Sequence, residues 1–212
     1  MNLVLFGATG ALGRECLQQA LAAGHRLTLL VRDPSKLAND LPDSVTVMVG
    51  DALDAEAVDA CIQQDTDAVL CAVGIVKDSP EQLCCDITRN ILAAMRAKGV
   101  KRLVWCGGGS TLVEQDTVGF GEKFVNVFTA LFMRKKHLDK AEQYALLQST
   151  NDIDWVGVRP LQMKKGPHKK VYRVGFHRFS GTSSISFADC ADAMLTMLHD
   201  DSWLGQAPIV QY

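Results

Sequence analysis

Apolar runs of strand length alternate along this chain with longer stretches of helical period, beginning at Leu3-Val4-Leu5-Phe6. The pattern predicts strands near 2–6, 26–31, 45–49, 67–72, 102–106 and 153–158, and a short last one near 208–211. Helices are expected near 11–23, 54–63, 80–98, 120–149 and 187–199. "AVLCAV" and "RLVWC" are apolar almost throughout, as strands are when helices cover both faces of their sheet. Such alternation means an α/β fold, a doubly wound parallel sheet with helices on both faces. No repeat, low-complexity tract or linker interrupts it, so residues 1–212 read as a single domain. Beyond Gly107 the pattern loosens. The polar, basic stretch "LQMKKGPHKKVYRVGFHRFSG" suggests a small carboxyl-terminal cap on the substrate side, over residues 160–182.

Where the first strand hands over to a helix the chain reads "FGATGALGR", with Gly7, Gly10 and Gly13 at G-x-x-G-x-x-G spacing. The first N–H groups of a helix lack internal partners, and the helix dipole is positive there, so this is an anion site. Glycines let the chain turn tightly and let a pyrophosphate approach the backbone. The turn therefore offers Gly7, Thr9, Gly10, Ala11, Leu12, Gly13 and Arg14 to a dinucleotide.

The next strand, "RLTLLV", ends in Arg32-Asp33, near the place where dinucleotide folds read the ribose. An arginine there pairs with the 2′-phosphate of NADP through its forked donors; an acid would instead bond the 2′-hydroxyl of NAD. Arg32, supported by Arg14 and Lys36, favours NADP, while Asp33 keeps the acid's role open. "VGDALD" places Asp51 and Ala52 after the third strand, and "CAVGIV" places Ala72, Val73 and Gly74 after the fourth. Cys106, Gly107 and Pro160 end the fifth and sixth strands at the same edge. Taken singly, Asp51 could be a helix cap and Gly74 a turn.

Composition narrows the class. Hydrophobic residues at 48% and charged residues at 22% are the balance of a globular protein, and a net charge of −2 gives no reason to expect nucleic acid as a partner. No apolar run reaches the roughly 20 residues of a membrane span. The opening strand and glycine turn do not read as a signal peptide. Seven cysteines, an odd number without a C-x-x-C pair, lie mostly in apolar segments and read as small core residues. A reducing, cytoplasmic setting is expected. His25, His137, His177 and His199 lack metal-ligand spacing, so no metal is expected.

"FGATGALGR", "LLVRDPSKL", "VGDALD", "RNILAAMRAKGVKRLVWCGGGS", "DWVGVRP" and "ISFADCADAML" fall in this order over nearly the whole chain. Together they resemble an atypical short-chain dehydrogenase/reductase of the NmrA-like NAD(P)H-binding family, nearest to the biliverdin reductase B/flavin reductase type. The resemblance implies a Rossmann fold, NADPH as cofactor, and hydride transfer to a flavin, quinone, tetrapyrrole or other small acceptor. It also implies an alternative, a non-catalytic NADP(H)-binding redox sensor or an assembly or regulatory protein, since some members only bind the cofactor. A monomer or dimer is expected.

Ordinary short-chain dehydrogenases use a Tyr-x-x-x-Lys pair, in which the lysine lowers the tyrosine's pKa. Here Tyr144 is followed four residues on by Gln148, and Lys140 is preceded one turn earlier by Lys136. The pair is absent. In the resembled reductase type a serine follows the fifth strand; here Gly108 stands at that place, with Ser110 and Thr111 displaced. Its pocket histidine corresponds to Leu161 or Gln162. Ser110 and Lys140 are the catalytic candidates, Lys140 being equally readable as part of the basic helix face "RKKHLDK". Arg159 reads either as a neighbour of the nicotinamide or as half of a structural ion pair. Lys164, Lys165, His168, Lys169, Lys170 and Arg173 read as an acceptor-binding cluster or as solvated surface. Phe120, Phe124, Phe128 and Phe132 repeat at helical spacing and read as core or pocket wall.

Overall fold

Six segments with alternating apolar faces assemble into one parallel sheet. The computed structural model describes residues 1–76, 78–109, 111–117, 134–177 and 183–212, and of 134–137 the backbone alone. Its strands β1 (Asn2–Phe6), β2 (Arg26–Val31), β3 (Val45–Val49), β4 (Ala68–Cys71), β5 (Arg102–Cys106) and β6 (Asp154–Val158) stand in the order β3-β2-β1-β4-β5-β6. Between β1 and β4 the order reverses direction, so the following loops part and leave a crevice at the carboxyl ends.

The two faces follow from strand parity. Leu3 and Leu5 of β1 join Leu27, Leu29, Leu70 and Val104 in one core, under α1 (Ala11–Ala22) and, later in the chain, a helix at Phe187–Thr196. Val4 and Phe6 point the other way, into a core with Val69, Leu103 and Trp155. That core lies under α2 (Ala55–Cys61), α3 (Leu83–Lys98) and α4 (Arg134–Gln148), and we number the Phe187–Thr196 helix α5. Gly99, in the left-handed conformation at φ 75°, ends α3.

Carboxyl-terminal to β6 four short strands appear. β7 (Met163–Lys164) pairs in parallel with β9 (Ile185–Ser186), and β8 (Arg173–Gly175) pairs antiparallel with β10 (Ile209–Gln211). An isolated bridge from Arg159 to Ile209 carries β10 alongside the end of β6. Strands of two or three residues are too short for a period to show, which is why β7, β8 and β9 had no signature. Of the expected cap, residues 160–177 are threaded by β7 and β8, and 178–182 lie outside the described residues. The front of the expected 120–149 helix, with Phe120, Phe124, Phe128 and Phe132, also lies outside them.

A buried carboxylate holds the 167–170 turn. Asp189, in the first turn of α5, is 0% exposed and accepts from Lys169 N and Lys170 N at 2.8 Å each, and from Tyr212 Oη at 2.6 Å. These donors let Lys170 sit at φ 58°, a conformation few non-glycine residues adopt. Burial works to raise the Asp189 pKa, but the hydrogen bonds from Tyr212, Lys170 and Lys169 outweigh it and hold the carboxyl below its ordinary range. A lowered folded pKa contributes stability that is complete above the unfolded value, about 3.9, and is lost as pH falls through the folded one. Thermal melts from pH 7 to pH 2 should therefore show acid destabilisation that Asp189→Asn reduces. An unchanged acid limb in that variant would contradict the assignment.

Candidate cofactor crevice

The glycine turn is built by contact. A Cβ on Gly13 would lie 2.0 Å from the carbonyl oxygen of Gly7, and one on Gly7, at φ +85°, would lie 2.8 Å from the backbone carbon of Ala72. The turn after β1 thus packs against the end of β4, where Ala72 N donates to Phe6 O at 3.0 Å. Gly10 is the N-cap of α1 and gives no side-chain cap to the helix. The first-turn N–H groups at Ala11 and Leu12 therefore receive no side-chain oxygen, the arrangement that suits a phosphate. The residues present fit a dinucleotide pyrophosphate: glycines where a Cβ would obstruct, and uncapped donors where charge must be met.

Beside the turn, Arg14 bridges two backbones, Nε to Thr9 O at 3.1 Å and Nη2 to Lys36 O at 2.9 Å. Arg32, at the end of β2, keeps 74% of its side chain exposed and stands 4.0 Å from Asp51. Asp33 is engaged locally. It accepts from Ser35 N at 3.1 Å and Ser35 Oγ at 2.6 Å and faces Lys36 Nζ at 3.5 Å. The Ser35 hydroxyl leads in holding its carboxyl below the ordinary range. Of the two, Arg32 presents the more exposed side chain, 74% against 45% for Asp33.

Asp51 does not cap α2; Asp54 does, through Glu56 N, while Asp51 accepts from Leu53 N at 3.0 Å within its own turn. Asn90 of α3 fixes that turn by donating to Ala52 O and Leu53 O at 3.0 Å each. Val73 is half-buried, and a Cβ on Gly74 would meet nothing within 4 Å, so this stretch is open.

At the ends of β5 and β6 the glycines of "WCGGGS" serve packing. A Cβ on Gly107 would lie 2.8 Å from the Trp105 ring, and one on Gly109 would lie 2.7 Å from the Leu161 backbone. Gly107 N donates to Val158 O and Gly109 N to Pro160 O, both at 2.9 Å, which extends the β5–β6 pairing into the loop. Ser110 lies outside the described residues, and Thr111 is buried. Arg159 proves to be half of a structural pair. Its fully buried guanidinium meets Asp116 in a fork, Nη1 to Oδ2 at 2.9 Å and Nη2 to Oδ1 at 2.6 Å, and also donates to Ala207 O and Thr111 O.

Lys140 does not belong to an exposed basic face. Half-buried, it turns its Nζ to Cys106 O at 3.0 Å and Gln143 Oε1 at 3.1 Å, at the carboxyl end of β5. Burial alone would lower its pKa, but the Cys84, Cys106 and Cys71 sulfurs around it reverse the shift, so the ammonium persists. Asp139, 1% exposed, accepts from Cys84 N and Cys85 N at 2.9 Å each and so caps α3 from another helix. All seven cysteines are free and buried, and burial pushes the Cys61 and Cys84 thiols up to about 12. In the basic stretch, His168 pairs with Asp192 at 2.9 Å, Arg173 donates to Tyr212 O, and Lys169 lies over the Tyr212 ring; Lys164, Lys165 and Lys170 are exposed. Among the described residues no three His, Cys, Asp or Glu side chains could hold a metal, and no helix is long and apolar enough to cross a membrane.

Known proteins are similar to this chain in sequence or in fold. Uncharacterized protein YwnB of Bacillus subtilis is 27% identical over 212 aligned residues, covering 93% of this chain and 92% of that protein. A 3-diazoavenalumate denitrifying reductase of Streptomyces is 33% identical over 115 residues, which take in 49% of this chain and 36% of its own. Among solved structures, ChuY, an anaerobillin reductase of Escherichia coli O157:H7, superposes with a TM-score of 0.79 at 19% identity, over 99% of this chain and 96% of its own. At that identity it speaks for the fold alone. The model of a family described as NAD(P)H-binding matches residues 7–201. With the glycine turn, the sheet order and that match in agreement, the chain belongs to the NAD(P)H-binding family.

Proposed function

We propose that the protein is an NADPH-dependent reductase that passes hydride to a small conjugated acceptor such as a flavin, quinone or biliverdin-like tetrapyrrole. One observation carries the cofactor preference: Arg32 is exposed at the end of β2 while the neighbouring Asp33 carboxylate is occupied by Ser35 and Lys36. The uncapped start of α1 holds the pyrophosphate, and Arg32 pairs with the 2′-phosphate. The Streptomyces reductase relative supports the reaction class.

NADPH, when bound, supplies the hydride. The chain orients and shields it. Gly7, Gly10 and Gly13 let the backbone approach, Gly74 leaves room beside β4, and Lys140 places a fixed positive charge at the end of β5. Tyr144 is no proton donor to the crevice, because its ring is buried edge-on to Trp155 with centroids 6.2 Å apart. An acceptor that takes its proton from water needs only this orientation. The acceptor is a small molecule, and the working place of the protein is the cytoplasm.

Arg32→Ala should weaken NADPH about 10- to 100-fold and leave NADH within about twofold, since only the 2′-phosphate loses its charged partner. Equal losses for both cofactors would contradict the role given to Arg32. The reaction itself is tested by following NADPH oxidation at 340 nm with FMN, a quinone and biliverdin. Turnover of any of them supports the reductase. Tight NADPH binding without turnover would instead favour a cofactor-binding redox sensor, which the absent Tyr-x-x-x-Lys pair permits.

A further inference from the structure

We propose that Gln143 and Thr88 are positioning residues that set the Lys140 ammonium for the nicotinamide half of NADPH, an inference resting on the crevice being an NADPH site. The hydrogen bonds run in one direction. Thr88 Oγ1 donates its only proton to Cys84 O at 2.7 Å, leaving its lone pairs to accept from Gln143 Nε2 at 2.8 Å. With the amide nitrogen engaged there, Gln143 turns its oxygen to Lys140 Nζ. A flipped amide would set NH2 against an ammonium and oxygen against a hydroxyl that has already given its proton. Gln143 and Thr88 are 1% and 2% exposed, so water does not compete for these groups.

Two of the three Lys140 N–H groups are thereby spent, on Gln143 and on Cys106 O. Among the described residues no further oxygen or nitrogen accepts from the third. A ribose hydroxyl or a carbonyl oxygen would take that proton. The position agrees. Lys140 stands at the carboxyl edge of β5, and Arg32 stands at that of β2, on the other side of the switch point between β1 and β4. A dinucleotide lying across that point, with its 2′-phosphate at Arg32, extends its nicotinamide end towards Lys140.

The test compares dissociation constants for NADPH and for adenosine 2′,5′-bisphosphate, which carries only the adenine half. Gln143→Leu should weaken NADPH about tenfold and leave the bisphosphate unchanged. In a Lys140→Ala background Gln143→Leu should add nothing, since Gln143 acts through Lys140. Thr88→Val supplies a second variant if Gln143→Leu folds poorly, with the same loss confined to NADPH. Equal weakening of both probes, additivity with Lys140→Ala, or unchanged NADPH binding would overturn the positioning role while leaving the cofactor reading intact. Failure of the parent protein to bind either probe would overturn the cofactor reading, and this inference with it.

Discussion

Gly13→Ala should abolish stable folding, with a cost above about 4 kcal/mol, a large part of the 5–15 kcal/mol that holds a typical domain together. The new Cβ would lie 2.0 Å from Gly7 O, 2.6 Å from Gly7 C and 2.8 Å from Ala8 Cα. All three are backbone atoms, so no side-chain rotation relieves the clash. Relief would have to come from moving α1 off β1, and with it Leu12, Cys16 and Leu17, which are buried in the core α1 shares with α5. Gly74→Ala is the control. Its Cβ enters open space, so the melting temperature should stay within about a degree, while NADPH binding weakens because the added methyl narrows the crevice. Thermal melts by circular dichroism decide the stabilities, and NADPH titration decides the binding. A Gly13→Ala protein melting within a few degrees of the parent would refute this account of the turn.

The second large effect belongs to Arg159 and Asp116. Removing one partner of a buried ion pair leaves the other charge desolvated, so Arg159→Met or Asp116→Leu should each cost about 3–5 kcal/mol, a fall in melting temperature on the order of 10 °C. The side chains are 0% and 5% exposed, and Asp116 also accepts from Val113 N at 3.0 Å, so the pair ties the 111–117 loop to the end of β6. The double variant Arg159→Met/Asp116→Leu should cost less than the sum of the singles, because neither charge then remains unpaired. Strict additivity would mean that the two side chains act separately.

The sheet was legible because its strands are apolar runs bounded by turns, and parity alone assigns Leu3 and Leu5 to one core and Val4 and Phe6 to the other. The glycine turn was legible because Gly13 is required by contacts close in sequence, with Gly7 and Ala8, and Gly7 by its own φ of +85°, although the Ala72 backbone that Gly7 packs against is distant in sequence. The role of Lys140 was not. Among the described side chains of α4 the buried face starts with Asp139, Lys140 and Gln143 and becomes apolar only at Tyr144 and Leu147, so hydrophobic periodicity reports a solvated basic helix. Their partners, Cys84, Cys85, Thr88 and Cys106, lie 34 to 55 residues away, beyond any local pattern. Arg159-Asp116 is hidden for the same reason, being separated by 43 residues. Asp139 carries a weak signal in retrospect. Gln82 leaves the start of α3 without a side-chain cap, so a buried helix start needs an acceptor from elsewhere.

The central claim is that the crevice between the α1 turn and β2 holds NADPH in preference to NADH. Calorimetric titration of the purified protein with each reduced cofactor tests it most directly. The account predicts one site per chain and NADPH bound at least about tenfold more tightly, the margin expected of one exposed arginine meeting a 2′-phosphate. Equal affinities, or tighter NADH, would return the ribose-reading role to Asp33; binding of neither would contradict the cofactor assignment itself.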